Sequence, residues 1–64
     1  STWTVTGMTC GHCVKAVTDE VSAIDGVETV VVDLGTGAVV VTAATDPTRE
    51  QMAAAVDEAG YSLV

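Results

Sequence analysis

Sixty-four residues make one small domain, too short for a second hydrophobic core. Apolar residues are 48% of the chain but include no Phe, one Trp and one Tyr, so the interior has to be built from Val and Ala, and a roomy enzyme cleft is not expected. Nine carboxylates against two basic side chains give a net charge of −7, and no apolar run reaches a membrane span, so neither nucleic-acid binding nor membrane insertion is expected.

Residues 1–64 read as a single continuous domain without repeat, linker or low-complexity segment. Thr2 to Thr6 alternates polar and apolar residues, the pattern of a half-buried strand. Gly7 to Gly11 breaks that pattern. From His12 onward Val14, Val17, Val21 and Ile24 recur at spacings of three, four and three, an amphipathic helical stripe that Gly26 stops. Val27 to Leu34 is a second strand with Val30, Val32 and Leu34 on one face. Gly35-Thr36-Gly37 supplies the positive φ angles of a tight hairpin turn, and Ala38 to Ala43 returns with Val39 and Val41 on one face. Asp46-Pro47 carries the signature of a helix N-cap and first helical residue. Met52, Ala55, Val56 and Ala59 form the stripe of a second helix ended by Gly60, and Tyr61 to Val64 is a short last strand. The order βαββαβ predicts an α+β, ferredoxin-like fold, a four-stranded antiparallel sheet with two helices on one face. Val31 and Val40 fall on the uncovered face, where single exposed apolar residues are ordinary.

The chemistry lies in the only two cysteines, Cys10 and Cys13, separated by Gly11 and His12. A disulfide staple across so small a loop would be strained and constrain the unfolded chain by only about 2 kcal/mol. Redox catalysis is the second reading, because Cys10-Gly11-His12-Cys13 is the active-site tetrad of protein disulfide isomerases. That resemblance also implies a thioredoxin fold of roughly a hundred residues with a cis-proline opposite the thiols. This chain is shorter, its one proline is Pro47, and Thr9 stands where the isomerases carry Trp. A soft-metal site is the third reading. Structural zinc wants four ligands, and there is no second cysteine pair. Cu(I) prefers thiolate and is content with two or three ligands, and so exposed an ion can pass to another protein's thiols.

Gly7-Met8-Thr9-Cys10-Gly11-His12-Cys13, at the end of a first strand, resembles the GMTCxxC signature of heavy-metal-associated domains. The likeness runs over nearly the whole chain, through Gly26-Val27 after the first helix, Val32-Asp33-Leu34 before a glycine turn and Ala59-Gly60-Tyr61 near the end. It is similar in particular to CopZ-like bacterial copper chaperones, and the same module occurs as N-terminal metal-binding domains of copper-transporting P-type ATPases. The resemblance implies the ferredoxin-like fold, Cu(I) at Cys10 and Cys13, and handover to the metal-binding domain of such an ATPase.

The expectation is therefore a cytoplasmic Cu(I) metallochaperone, not an enzyme, with Cys10 and Cys13 as thiolate ligands. His12 is expected to tune thiol acidity rather than ligate, since folding back between the flanking cysteines is awkward. Met8 is expected to anchor the loop in the core rather than offer its thioether. Tyr61 should return near the metal loop, either influencing the metal or standing as an edge-strand aromatic. Thr9 cannot serve as the anionic oxygen ligand that zinc-handling relatives often carry before the first Cys, which favours Cu(I) over Zn(II) and leaves Hg(II) open. An ion with two ligands can recruit thiolate from a second copy, so a copper-bridged homodimer is a further expected assembly. The rival readings are an N-terminal domain of a copper ATPase, against which the end at Val64 without a linker weighs modestly, and a small thiol–disulfide oxidoreductase.

Overall fold

A computed structural model of the chain describes residues 1–9 and 11–64. The elements follow as β1 (Thr2–Thr6), α1 (Gly11–Ser22), β2 (Val27–Asp33), β3 (Ala38–Ala43), α2 (Arg49–Glu58) and β4 (Ser62–Leu63). The strands form one sheet in the spatial order β2-β3-β1-β4, and each neighbouring pair is antiparallel. This is the ferredoxin-like arrangement expected from the element order. Because β1 is an inner strand paired on both edges, the segment that leaves it toward α1 starts from a fixed point in the middle of the sheet.

Register sets the core. Trp3 lies opposite Val39, Val5 opposite Leu63 and Val30 opposite Val41, all turned toward the helices. They meet Val17 and Val21 of α1 and Met52, Ala55 and Val56 of α2 in one cluster. Its fully buried large side chains are Met52 and five valines, Val17, Val21, Val39, Val41 and Val56. Burying each stabilises the fold by about 1.5–3 kcal/mol, and β-branched side chains suit the pleated sheet. On the opposite face Val31 and Val40 are direct cross-strand partners and are 58% and 43% exposed.

Several boundaries differ from the sequence expectation, and at α2 and β2 the cause is a hydrogen-bonding side chain. The N-cap of α2 is Thr48, not Asp46. The Thr48 hydroxyl accepts from the Gln51 amide at 3.1 Å, while Gln51 Oε1 accepts from the Thr48 amide at 2.9 Å, a reciprocal capping box. Asp46 instead lies 3.6 Å from the amino group of Ser1. Leu34 is outside β2 and 40% exposed, because Asp33 Oδ1 accepts from the Gly35 amide at 2.9 Å and turns the chain first. Within that turn the positive φ belongs to Gly37, not to Gly35. Helix α1 ends at Ser22, so Ile24 packs on the core from the following turn, and β4 begins after Tyr61. Among the described residues no helix is long and apolar enough to cross a membrane.

Candidate metal centre

Three segments meet at the end of the sheet where β1 stops. The first is Gly7 to Thr9, directly after β1. The second is the hairpin turn, held to β1 by the Val5 amide donating to the Gly37 carbonyl at 2.9 Å. The third is Tyr61, whose amide donates to the Val56 carbonyl at 3.0 Å and so fixes it to the end of α2. Gly7 has φ +93°, and a Cβ placed on it would lie 3.3 Å from Tyr61 Cδ1. The Tyr61 ring therefore comes against the start of the cysteine-bearing segment, where the sequence reading expected it to return.

Cys13 sits in the first turn of α1 and is 7% exposed. It belongs to the buried stripe Cys13, Val17, Val21, spaced i, i+4, i+8, whereas Val14, which the sequence pattern placed there, is half-buried. The hydropathy pattern missed this because it counted only aliphatic side chains. A reduced cysteine packs as a small hydrophobe, and including it would have shown the stripe. The Thr9 hydroxyl lies 4.0 Å from Cys13 Sγ, at the outer limit of a hydrogen bond to sulfur. The first turn of α1 contains no acidic side chain, and a helix N-terminus favours a thiolate over a thiol. Cys10, the other expected ligand, lies outside the described residues.

The remaining expected site residues are placed as follows. Met8 is half-buried and packs against the core cluster. His12 is exposed on α1 and lines an open surface depression of about 400 Å³ with Lys15, Ala16 and Asp19. A second open depression, about 450 Å³, runs between α2 and β4 past Arg49, Ala53, Asp57 and Tyr61. Both are grooves rather than enclosed cavities. Among the described residues no group of three or more His, Cys, Asp or Glu side chains is placed to hold a metal ion.

Residues 2–62 match the model of the heavy-metal-associated domain. The chain is 42% identical over 60 residues to the copper chaperone CopZ of Bacillus subtilis (strain 168), covering 92% of this chain and 87% of that protein. Among solved structures it superposes on a CopZ metallochaperone with a TM-score of 0.89 at 37% identity, over 100% of this chain and 97% of the other. A trimeric form of the copper chaperone Atx1 from Synechocystis PCC6803 superposes with a TM-score of 0.83 at 35% identity, over 100% and 98% of the two chains.

Proposed function

The chain belongs to the heavy-metal-associated domain family, and on that premise we propose that it is a cytoplasmic copper chaperone. In this reading Cys10 and Cys13 hold Cu(I) as a pair of thiolates, and the cargo passes to the metal-binding domain of a copper-transporting P-type ATPase. The likeness to CopZ and Atx1 copper chaperones over almost the whole chain supports the cargo. The observation that carries the site is Cys13, buried in the acid-free first turn of α1 beside Thr9, three residues after a second cysteine. A helix N-terminus stabilises the anionic form, which is the form that binds soft metals.

Loading exchanges protons for metal: two thiols release two protons and two sulfur–copper bonds form. Handover proceeds by ligand exchange. A thiolate of the recipient adds to the ion, a three-coordinate intermediate forms, and one cysteine of this chain leaves as thiolate. A second recipient thiolate then displaces the other. Only sulfur–copper bonds are exchanged and no covalent bond of an organic substrate changes, so the proposed role is transport and not enzymic. Met8, packed on the core, holds the segment down, and exposed His12 modulates the thiols without ligating. The same two-ligand site can recruit a thiolate from a second copy, giving a copper-bridged homodimer.

Anaerobic Cu(I) titration against a competing Cu(I)-specific chelator, with light scattering on the same samples, tests this reading. One tightly held Cu(I) per chain is expected, and the Cys10→Ser, Cys13→Ser double variant should lose it. Retention of tight binding by that variant would overturn the ligand assignment. Insulin reduction at a rate comparable with thioredoxin would favour the oxidoreductase instead.

A further inference from the structure

Strand β2 is an outer strand of the sheet: β3 pairs with its inner edge, and among the described residues nothing pairs with its outer edge. A row of backbone N–H and C=O groups is left facing outward, and an extended chain is what satisfies such a row. The strand, Val27–Asp33, is rich in β-branched residues and has no Pro or Lys to blunt the edge. A register shift between Val27 and Thr29 disturbs its start, so the regular edge runs from Thr29 to Asp33. Both sides of that edge are unfinished. On the helix side Val30 and Val32 pack on the core cluster yet stay half-buried, whereas their β3 partners Val41 and Val39 are buried. On the open side Val31 is 58% exposed beside Val40.

We infer that the outer edge of β2 pairs antiparallel with the same edge of a second copy of the chain, joining two four-stranded sheets into one without metal. Register is what selects a second copy. A two-fold axis through Val31 sets Val31 against its own counterpart, Val30 against Val32, Thr29 against Asp33 and Glu28 against Leu34. Valine then meets valine on both sides of the ladder, a hydroxyl meets a carboxylate, and no two carboxylates are opposed. An axis midway between Val30 and Val31 would oppose Glu28 of one copy to Asp33 of the other, and like charges directly opposite are destabilising. An axis through Val30 would set Val32 against Glu28.

Two effects limit the strength. So short an edge buries far less than the roughly 1,200 Å² of a stable complex, so the association is weak. Each copy carries a net charge of −7, so the copies repel and added salt should strengthen the pairing. This dimer is distinct from the copper-bridged one proposed above. It involves β2, with β3 between it and β1, the strand that leads into the cysteine segment, and it needs neither sulfur nor metal.

Sedimentation equilibrium of the reduced, metal-free chain with a chelator present tests the inference, at up to about 1 mM protein and at about 0.05 M and about 0.5 M salt. A monomer–dimer equilibrium is expected, tightened by about threefold or more at the higher salt. Val31→Glu places two carboxylates on the axis and should weaken dimerisation by about tenfold or more. Val31 is exposed, so this substitution leaves the core intact. Ala53→Glu adds the same charge to the exposed side of α2 and should weaken it by less than about threefold. The Cys10→Ser, Cys13→Ser double variant should dimerise as the parent chain does. In a mixture of isotope-labelled and unlabelled chains, filtered NMR contacts between copies should join Val31 to Val31 and Val30 to Val32. A chain that stays monomeric under all these conditions, equal weakening by the two glutamate variants, or contacts at another surface would overturn the inference. A dimer that forms only with added Cu(I) and is lost with the two cysteines would also overturn it, while supporting the copper-bridged reading.

Discussion

The amide of Val5 donates to the carbonyl of Gly37, and a Cβ on Gly37 would stand only 2.5 Å from the carbonyl oxygen of Val5. The hairpin turn thus lies backbone to backbone on β1, two residues before Gly7. The obstacle is main chain, which cannot swing aside as a side chain can, and Gly37 also has φ +78°. Gly37→Ala should therefore cost about 2 kcal/mol or more in urea unfolding. Domains of this size rarely have more than about 3–5 kcal/mol to lose, so part of that variant should be unfolded in water. An effect below about 0.5 kcal/mol would show that the turn does not rest on β1.

The capping box at the start of α2 gives a second stability prediction. Thr48→Ala removes the acceptor for the Gln51 amide and should destabilise the domain by about 1 kcal/mol, whereas Thr48→Ser should recover most of it. Asp46→Ala should have a smaller effect, because its contact with the Ser1 amino group is 3.6 Å long and its side chain is 66% exposed. Thermal or urea unfolding of the three variants ranks them. If Asp46→Ala proved the costliest, the cap would be at Asp46 after all.

The contrast between Asp46 and Thr48 shows where the sequence was legible and where it was not. Long-range periodicity is a property of many residues together, so the six elements could be read from the apolar spacing and the glycine breaks between them, and the antiparallel arrangement from the βαββαβ order. A cap is decided by one side chain reaching one amide, and both Asp46 and Thr48 are good N-cap types; only the reach of Gln51 back to Thr48 separates them. Leu34 failed for the same kind of reason, since the Asp33 carboxylate ends the strand through a single bond to Gly35. At the candidate site, the cysteine spacing was visible in the chain but the burial of Cys13 was not. The approach of Tyr61 to Gly7 joins residues 54 positions apart, which no local pattern encodes.

Copper and protons compete for the same sulfurs, which fixes the sign of the pH dependence. Where both thiols are protonated in the metal-free chain, two protons leave on loading, and apparent Cu(I) affinity should rise by about 100-fold per pH unit. A variant with Cys13→Ala keeps one sulfur, so its much weaker binding should rise by only about tenfold per unit. Because Cys13 is buried, that variant should also lose about 1 kcal/mol of stability while remaining folded. Chelator competition at several pH values, with urea unfolding of the metal-free forms, checks both. A slope independent of pH across the range below thiol ionisation would mean that sulfur is not where the metal sits.

His12 separates a ligand from a neighbour. Its side chain is exposed on α1, in an open groove with Lys15, Ala16 and Asp19, and contributes nothing to the core. Removing it should leave folding stability within about 0.5 kcal/mol of the parent chain. In His12→Ala the Cu(I) stoichiometry should stay at one per chain, because the two thiolates are the proposed ligands. The change expected is in the pH profile of binding, because His12 stands between the two cysteines in the chain and is proposed to act on them without ligating. A drop in affinity of equal size at every pH, with loss of a nitrogen scatterer in X-ray absorption of the loaded protein, would make His12 a third ligand instead.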